Sequence, residues 1–248
     1  MPKYILFDTE TTGNSQEDRI IQVGAIILSN SGIDAHYDEL CSSDIDIKIE
    51  AMEVHGIVPE DILNKPKFIE TSFYQELNRL NISENYLIAH NIKFDLGMLE
   101  KEGFENHLTL IDTLRCSKHL YPESPFHRLQ YFRYSLELYK EEKAKAQKLA
   151  IEIKPHDALS DVIIMQLFIS HLVKKVKEKF PDKNPMKQLA YLTQTPVMLE
   201  TFRFGKYKDQ KIAKIVNQDK GYISWMLKNM EMDEDLKYTL DTLMGKLL

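Results

Sequence analysis

Four carboxylate side chains stand where a strand of this chain is predicted to end or a helix to begin. They are Asp8 and Glu10 in FDTETTG, Asp95 in HNIKFD, and Asp161 in HDALSD. Side chains on a strand alternate between its two faces, so residues 8 and 10 point the same way. Neighbouring carboxylates repel each other unless a cation lies between them, and Mg²⁺ prefers such hard oxygen ligands. The pattern predicts a divalent-metal site, although each acid alone also suits a polar strand end or the first turn of a helix.

One histidine lies close in sequence to the last of these acids. His156 stands five residues before Asp161 and directly after Pro155. Imidazole has an ordinary pKa of about 6.5 and accepts a proton near neutral pH, as a general base must. An isolated histidine is more often a surface or core residue, so this assignment depends on the joint pattern. Asp157 is better placed than Asp161 to cap the following helix, which leaves Asp161 available to bind a metal.

The composition is typical of a soluble globular protein. Of 248 residues, 43% are hydrophobic and 28% are charged, which predicts one full domain with an appendage. No segment approaches the ~18 apolar residues that cross a membrane, and the N-terminus lacks a signal-peptide pattern. Cys41 and Cys116 match no metal-site spacing and no disulfide framework. We expect a reduced, cytoplasmic location and no membrane partner.

Charge is distributed unevenly along the chain. The net charge is −6, yet the segment from Lys174 to Lys214 contains 11 Lys or Arg and 4 Asp or Glu, a local balance of +7. Such asymmetry indicates contact with a polyanion. A solvated, lysine-rich helix end followed by a linker would have the same composition.

Hydrophobic periodicity predicts the elements that position these residues. The predicted strands are residues 4–7, 20–28, 36–41, 86–89 and 108–111, and the predicted helices are 68–80, 94–102, 129–139 and 157–176. Asn30-Ser31-Gly32 has the composition of a hairpin turn, so the first three strands form an antiparallel meander. The later strands alternate with helices, which favours parallel pairing. The predicted fold class is α/β, a mixed sheet flanked by helices.

A domain boundary is predicted near the sequence KFPDKNP, residues 179–185, which contains two prolines and several polar residues. We therefore predict a domain at 1–178, a linker at 179–190 and a small C-terminal module at 191–248. The module has apolar and aromatic residues of its own, enough for a separate small core.

The three motifs, in this order, resemble those of the DEDDh exonuclease family over roughly residues 2–175. The resemblance implies an RNase H-like fold and phosphodiester hydrolysis with two divalent ions, Mg²⁺ with Mn²⁺ able to substitute. The implied metal ligands are Asp8, Glu10, Asp95 and Asp161. Asp8 would contact both ions, and His156 would be the general base. A sister subgroup with a tyrosine base would place it at position 157, where this chain has an aspartate.

The resemblance also implies residues that receive the terminal nucleotide. The segment IEAMEVHGI, residues 49–57, is similar to one that family members use for this purpose, and main-chain amides near Thr11 and Thr12 would also contact the last nucleotide. Glu50 resembles the acid that contacts the 3′ hydroxyl, and His55 the residue beside the phosphate or base. The alternative is an ordinary helix that ends at Gly56 with His55 exposed.

The C-terminal module contains Phe204-Gly205-Lys206-Tyr207-Lys208, a mixture suited to gripping phosphates and stacking bases. Together with the later Gly-Tyr-x-x-Trp pattern that ends at Trp225, it resembles FGKY-type modules of the exodeoxyribonuclease X branch of the family. Asp209 departs from that pattern, because such modules have a glycine shortly after the basic residue. The alternative is a small packed appendage whose aromatic residues form its own core, and we expect Tyr222 and Trp225 to belong to that core rather than to contact DNA.

The expected function is a 3′→5′ exodeoxyribonuclease in DNA repair that acts on single-stranded or duplex 3′ ends and releases nucleoside 5′-monophosphates. The alternatives are a proofreading, epsilon-like subunit of a replicative polymerase and a ribonuclease T-like enzyme that trims RNA, because catalytic motifs do not report the sugar. A non-catalytic nucleic-acid-binding module is the alternative from another class. Oligomeric state stays open.

Overall fold

The computed structural model describes residues 1–149, 151, 153 and 157–245. The chain forms two compact units, Met1–Thr193 and Gln194–Leu248. Within the described ranges, no helix has the length and apolar character needed to cross a membrane.

Five strands of the first unit form one mixed sheet with the order β3-β2-β1-β4-β5. The strands are β1 (Tyr4–Thr11), β2 (Ile20–Ser29), β3 (Gly32–Leu40), β4 (Tyr86–Ala89) and β5 (Thr109–Asp112). β1 pairs antiparallel with β2 and parallel with β4, β2 pairs antiparallel with β3, and β4 pairs parallel with β5. The predicted meander followed by parallel strands is confirmed, and β1 lies at the centre.

Helices of the first unit precede, separate and follow the later strands. They are α1 (Ile49–His55), α2 (Pro59–Ile62), a 3-10 turn (Phe68–Glu70), α3 (Ser72–Arg79), α4 (Ile92–Lys101), α5 (Thr113–Leu120), α6 (Leu129–Ser135), α7 (Tyr139–Lys148), α8 (Ala158–Lys179) and α9 (Pro185–Gln194).

Two helices that periodicity predicted as continuous are interrupted. The segment 68–80 divides at Thr71, whose extended backbone and hydroxyl cap α3 by accepting a hydrogen bond from Tyr74 N. The segment 129–139 divides between α6 and α7, where Glu137 has a φ of 57° in the left-handed region. An α-helix cannot pass through either conformation, so both predictions of one helix were wrong.

The sheet has an apolar core on each face. Ile5 and Phe7 belong to the core that includes α3 and α4. Leu6 belongs to the other core, which includes α5, α6 and α8. Because strand side chains alternate, the even-numbered residues of β1 face α8.

The second unit contains α10 (Ile212–Gln218), α11 (Lys220–Asn229) and α12 (Glu234–Leu243) around its own apolar core. The division between Thr193 and Gln194 differs from the predicted linker at 179–190. The difference arises because residues 185–190 belong to α9, and Leu189 of that helix is buried in the core of the first unit.

Candidate active site

Asp8 and Glu10 lie in the second half of β1, on the face that Leu6 shares with α8. In the register of β1 with β2, Asp8 pairs with Gly24 and Glu10 pairs with Gln22. Both carboxylates therefore lie beside β2 and under the beginning of α8. A register shift directly after Glu10 ends the regular pairing at this point.

Helix α8 approaches the sheet closely at Gly24. A Cβ added to Gly24 would lie 2.1 Å from Leu159 N and 2.3 Å from the carbonyl carbon of Ala158, whereas ordinary contacts begin at 3.4 Å. Glycine allows this approach because it has no side chain. Since Gly24 is the strand partner of Asp8, its missing side chain lets the first turn of α8 lie next to the acids.

The start of α8 is held by polar side chains from β2 and β3. Asp157 caps the helix, as predicted, and accepts hydrogen bonds from Ser160 N at 3.1 Å and Ser160 Oγ at 2.8 Å. Gln22 Nε2 donates to Asp157 Oδ1 at 2.8 Å and to Asp38 Oδ1 at 2.9 Å. Gln22 Oε1 accepts from Ala158 N at 3.4 Å. One glutamine of β2 thus ties down the residue that precedes the helix.

Asp161 lies one turn into α8 and is oriented by α6. Its backbone N–H donates to Asp157 O at 3.0 Å. Gln130 Nε2 donates to Asp161 Oδ1 at 2.7 Å. Gln130 Oε1 accepts from Arg133 Nη1 at 3.2 Å, and Arg133 holds the buried Glu142 with two hydrogen bonds, at 2.7 and 2.5 Å. This polar chain connects α7 to the Asp161 carboxylate.

Asp95 reaches the site from the other side of the sheet, in the first turn of α4. The residue is 3% exposed, and Thr9 Oγ1 donates to its Oδ1 at 2.8 Å. The turn into α4 requires a φ of 75° at Asn91, a left-handed conformation that asparagine tolerates. Asn91 N donates to Asp112 Oδ1 at 3.0 Å and fixes this turn. The turn and the threonine together hold Asp95 beside the end of β1.

Burial and repulsion by neighbouring carboxylates raise the pKa values of Asp8, Glu10 and Asp95. The pKa of Asp8 is raised by burial and then by the charges of Asp95, Asp161, Glu10 and Asp157. Burial and the charges of Asp161, Asp95 and Asp157 raise the pKa of Glu10 to about 8. Burial also raises the pKa of Asp95 to about 7, against the lowering effect of the Thr9 hydrogen bond. Asp95 and Asp161 are therefore close enough to Asp8 and Glu10 to oppose the ionisation of these two acids.

The donor set suits a hard divalent cation. Among residues 1–149, 151, 153 and 157–245, no three His, Cys, Asp or Glu side chains are arranged to enclose one ion. Mg²⁺ is usually bound through one or two carboxylates, with water or substrate oxygens as its other ligands, so it needs no complete protein cage. Repelling carboxylates on adjacent elements therefore fit such ions. His156, the predicted base, lies outside the described residues.

A cavity of about 510 Å³ opens beside Glu10, between α1 and the start of α4. Its walls include Glu50, Val54 and His55 from α1 and Phe94 from α4. Val54 and Phe94 are 55% and 37% exposed, so apolar surface faces the cavity. Binding pockets for small molecules combine such apolar walls with a few polar groups, at volumes of ~300–1,000 Å³.

The three predicted substrate-binding residues Thr11, Glu50 and His55 line this cavity together. His55 Nδ1 accepts from Ile57 N at 3.0 Å, so the ring proton lies on Nε2, which donates to Thr11 O at 3.2 Å. Burial lowers the pKa of His55 and favours this neutral ring. Thr11 Oγ1 donates to Gly13 O at 2.6 Å. The histidine therefore joins α1 to the end of β1 at the cavity wall.

Sequence reasoning missed the residues that position the acids. Gln22 is the only polar side chain in IIQVGAIIL, and Gly24 is a glycine inside the same strand. Both exceptions to an apolar strand were signals of a close approach by another element. Gln130 and Arg133 had no comparable signal, because polar residues are ordinary on an amphipathic helix.

Comparison with known families identifies the class of protein. The sequence profile of the Exonuclease family matches residues 5–168, about two thirds of the chain. The chain belongs to this family, which uses divalent metal ions, and it is a hydrolase of the exonuclease type. A second profile, described as Exodeoxyribonuclease X-like C-terminal, matches residues 202–231. Both matches confirm the resemblance seen in the motifs.

Individual relatives show which members of the family this chain resembles over most of its length. The chain is 23% identical to Exodeoxyribonuclease 10 of Escherichia coli (strain K12) over 240 residues, which cover 95% of this chain and 96% of that protein. It is 36% identical to DNA polymerase III subunit epsilon of Treponema pallidum over 100 residues, which cover 40% of this chain and 45% of that protein. The likeness to Exodeoxyribonuclease 10 thus extends through the C-terminal unit.

Solved structures confirm the fold. Exonuclease X in complex with 5′ overhanging duplex DNA matches with a TM-score of 0.53 and 20% identity, over 77% of this chain and 99% of that chain. Escherichia coli Exonuclease I in complex with a dA16 oligonucleotide matches with a TM-score of 0.51 and 21% identity, over 73% of this chain and 42% of that chain. At these identities the likeness establishes the RNase H-like fold, as predicted.

Proposed function

We propose that the protein is a 3′→5′ exodeoxyribonuclease that releases nucleoside 5′-monophosphates from DNA 3′ ends with two divalent metal ions. Mg²⁺ is the proposed ion in the cell, and Mn²⁺ substitutes for it because carboxylate oxygens accept both. The observation that carries the proposal is that Asp95 and Asp161 come close enough to the end of β1 to oppose the ionisation of Asp8 and Glu10.

Repulsion of this kind is unfavourable without a cation. Glu10 and Asp95 have pKa values of about 8 and 7 in the metal-free chain, so they retain protons near neutral pH. A divalent ion compensates the negative charge and makes ionised carboxylates favourable. Asp8, Glu10, Asp95 and Asp161 would hold the ions, with water and phosphate oxygens as the remaining ligands.

The chemistry is divided between the ions and the protein. Divalent ions held by these carboxylates would neutralise the charge of the scissile phosphate and lower the pKa of the attacking water. His156 takes the proton of that water. Gln130 keeps Asp161 in place through its hydrogen bond to Oδ1, and Thr9 does the same for Asp95. The protein residues therefore position ligands and accept one proton.

The cavity beside Glu10 is the proposed site of the terminal nucleotide. Val54 and Phe94 offer apolar contacts to its base and sugar, and Glu50 accepts a hydrogen bond from the 3′ hydroxyl. Thr11 and His55 support the wall next to the scissile phosphate. A free 3′ hydroxyl is present only at a strand end, which gives a physical reason for exonuclease rather than endonuclease action.

DNA is the proposed substrate because Exodeoxyribonuclease 10, which aligns with 95% of this chain, is named for that activity, and the similar Exonuclease X structure is a complex with duplex DNA. The match of the C-terminal unit to an Exodeoxyribonuclease X-like region favours this function over a proofreading subunit. We place the activity in DNA repair in the cytoplasm, where the buried thiols of Cys41 and Cys116 would stay reduced.

Digestion of end-labelled DNA and RNA oligonucleotides, side by side with Mg²⁺ or EDTA, tests the proposal. We expect stepwise release of mononucleotides from the DNA 3′ end with Mg²⁺ and none with EDTA. Asp8→Ala should abolish cleavage and remain folded, whereas Asp182→Ala, a change at an exposed aspartate on the loop after α8, should cleave normally. Cleavage of RNA alone would refute the substrate, and activity of Asp8→Ala would refute the metal assignment.

A further inference from the structure

The FGKY segment of the C-terminal unit has an internal structural role. Lys206 Nζ lies 3.2 Å from Asp219 Oδ2 and stands over the rings of Tyr207 and Tyr222, at 4.8 and 5.7 Å from their centroids. Tyr207 Oη donates to Asp219 Oδ2 at 2.6 Å, and Tyr222 N donates to Asp219 Oδ1 at 3.0 Å. These contacts fix the beginning of α11 against the 204–209 turn.

Trp225 lies one turn further along α11 and is not part of the apolar core of this unit. Its indole stacks on the Tyr222 ring, with centroids 6.2 Å apart and planes 22° apart, yet the residue is 54% exposed. The expectation that Trp225 belongs to the small core was therefore wrong. Ile223 and Met226 are the residues of α11 that are buried in that core. The indole is held in a fixed orientation and faces solvent.

The segment that contains this indole has a strongly positive charge balance. Residues 203–228 contain seven Lys or Arg and two Asp, whereas residues 229–245 contain one Lys and five Asp or Glu. Lys228 follows Trp225 by three residues on the exposed side of α11, so both side chains lie on one side of the helix. An oriented aromatic ring within a basic segment is the combination that binds single-stranded nucleic acid.

We propose that the Trp225 face, formed by Tyr222, Trp225 and Lys228, binds single-stranded DNA by stacking a base on the indole while lysines attract the phosphates. This inference rests on the proposed function for the class of ligand, and it assigns a second DNA contact to a unit separate from the catalytic carboxylates. The lock formed by Lys206, Tyr207 and Asp219 has a positioning role, because it keeps Tyr222 under the indole.

The chain contains a single tryptophan, so its fluorescence reports directly on this face. The full-length protein is titrated with an oligothymidylate in EDTA, which prevents cleavage, while anisotropy of a labelled oligonucleotide measures binding independently. We expect tryptophan emission to be quenched along the same binding curve as the anisotropy. Binding without quenching would overturn the proposal, since DNA would then contact the protein elsewhere.

Substitutions separate stacking from charge. Trp225→Ala should weaken binding by roughly 5- to 150-fold, the effect of losing one base–aromatic stack, whereas Trp225→Phe should retain most of the affinity. Ser224→Ala, at the adjacent exposed position, is the matched control and should bind normally. Lys228→Gln should reduce the salt dependence of binding by about one ion. Wild-type affinity of Trp225→Ala would overturn the proposal and favour a protein partner for this face.

The two proposals fail in different ways. If the oligothymidylate does not quench tryptophan emission in a protein that still digests DNA with Mg²⁺, the proposal for the Trp225 face is refuted and the exodeoxyribonuclease assignment stands. Normal quenching in a protein that digests no DNA would refute the exodeoxyribonuclease assignment and leave the binding face intact.

Discussion

Substitution of Gly24 by alanine tests whether the spacing between α8 and the sheet sets the geometry of the metal site. The new Cβ would lie 2.1 Å from Leu159 N, and an ordinary contact requires at least 3.4 Å. The first turn of α8 must therefore retreat by ~1 Å, and Asp161 moves with it, away from Asp8. A displacement of this size reduces the rate of the catalysed reaction about 100-fold when catalysis depends on reacting groups held in fixed positions.

Alanine at position 24 also overpacks a tight interface, which costs ~1–3 kcal/mol of stability. Gly97→Ala is the matched control, because Gly97 lies inside α4 and its added Cβ would meet no atom within 4 Å. That change should raise stability by ~0.5–1 kcal/mol, as alanine does for glycine inside a helix. The control also lies two residues from Asp95, so it tests whether any glycine substitution near an acid reduces activity.

Two measurements separate loss of geometry from loss of fold. Thermal unfolding in EDTA gives the stability of each variant. The rate at which 5′-labelled DNA is shortened from its 3′ end, measured over a range of Mg²⁺ concentrations, gives the turnover. We expect Gly24→Ala to remain folded at 25 °C, with turnover reduced about 100-fold and a higher half-saturating Mg²⁺ concentration. A Gly24→Ala variant with wild-type stability, turnover and Mg²⁺ dependence would refute the reasoning.

Two further predictions concern the polar surroundings and the charge of the site. Gln130→Ala removes the hydrogen bond to Asp161 Oδ1 and should raise the half-saturating Mg²⁺ concentration ~10- to 100-fold. Gln147→Ala, at an exposed position of α7, is the control and should leave that concentration unchanged. If Gln130→Ala and the wild type have the same half-saturating Mg²⁺ concentration, Gln130 does not position Asp161. Glu10 has a folded-state pKa raised to about 8, so the folded metal-free protein binds the extra proton and its free energy of unfolding should fall as the pH rises from about 5 to 8. Glu10→Gln should flatten that decline in EDTA, and Mg²⁺ should restore stability to the wild type at pH 8; parallel pH profiles of the two proteins would contradict the raised pKa.

The strands and the sites at their ends could be predicted because they depend on local patterns. β2 is an apolar run that can only be buried, and Asp8 and Glu10 stand at the end of the apolar run that begins β1. Asp157 caps α8, as its position at the start of the predicted helix indicated. The helix interruptions at Thr71 and Glu137 could not be predicted from periodicity, because a single cap or a left-handed residue leaves the apolar spacing unchanged.

Long-range polar contacts could not be predicted from the sequence for a different reason. Gln22 and Asp157 are 135 residues apart and Gln130 and Asp161 are 31 apart, so no local pattern connects them. Trp225 was misassigned because helical spacing cannot separate an inward position from its neighbour when both are apolar. In each case packing against another element decides the role, and one sequence does not contain that information in local form.

Residues of β2 determine the position of α8 beside the predicted metal ligands, although β2 contributes no predicted metal ligand or base. Gly24 sets how closely α8 approaches Asp8, and Gln22 holds Asp157, the cap of α8, through its amide. The proposed base, His156, directly precedes Asp157 in the sequence. A change at β2 should therefore affect metal binding and proton transfer together, whereas a change at Gln130 should affect the metal alone. This difference allows the two supports of α8 to be separated by the pH dependence of turnover measured at saturating Mg²⁺.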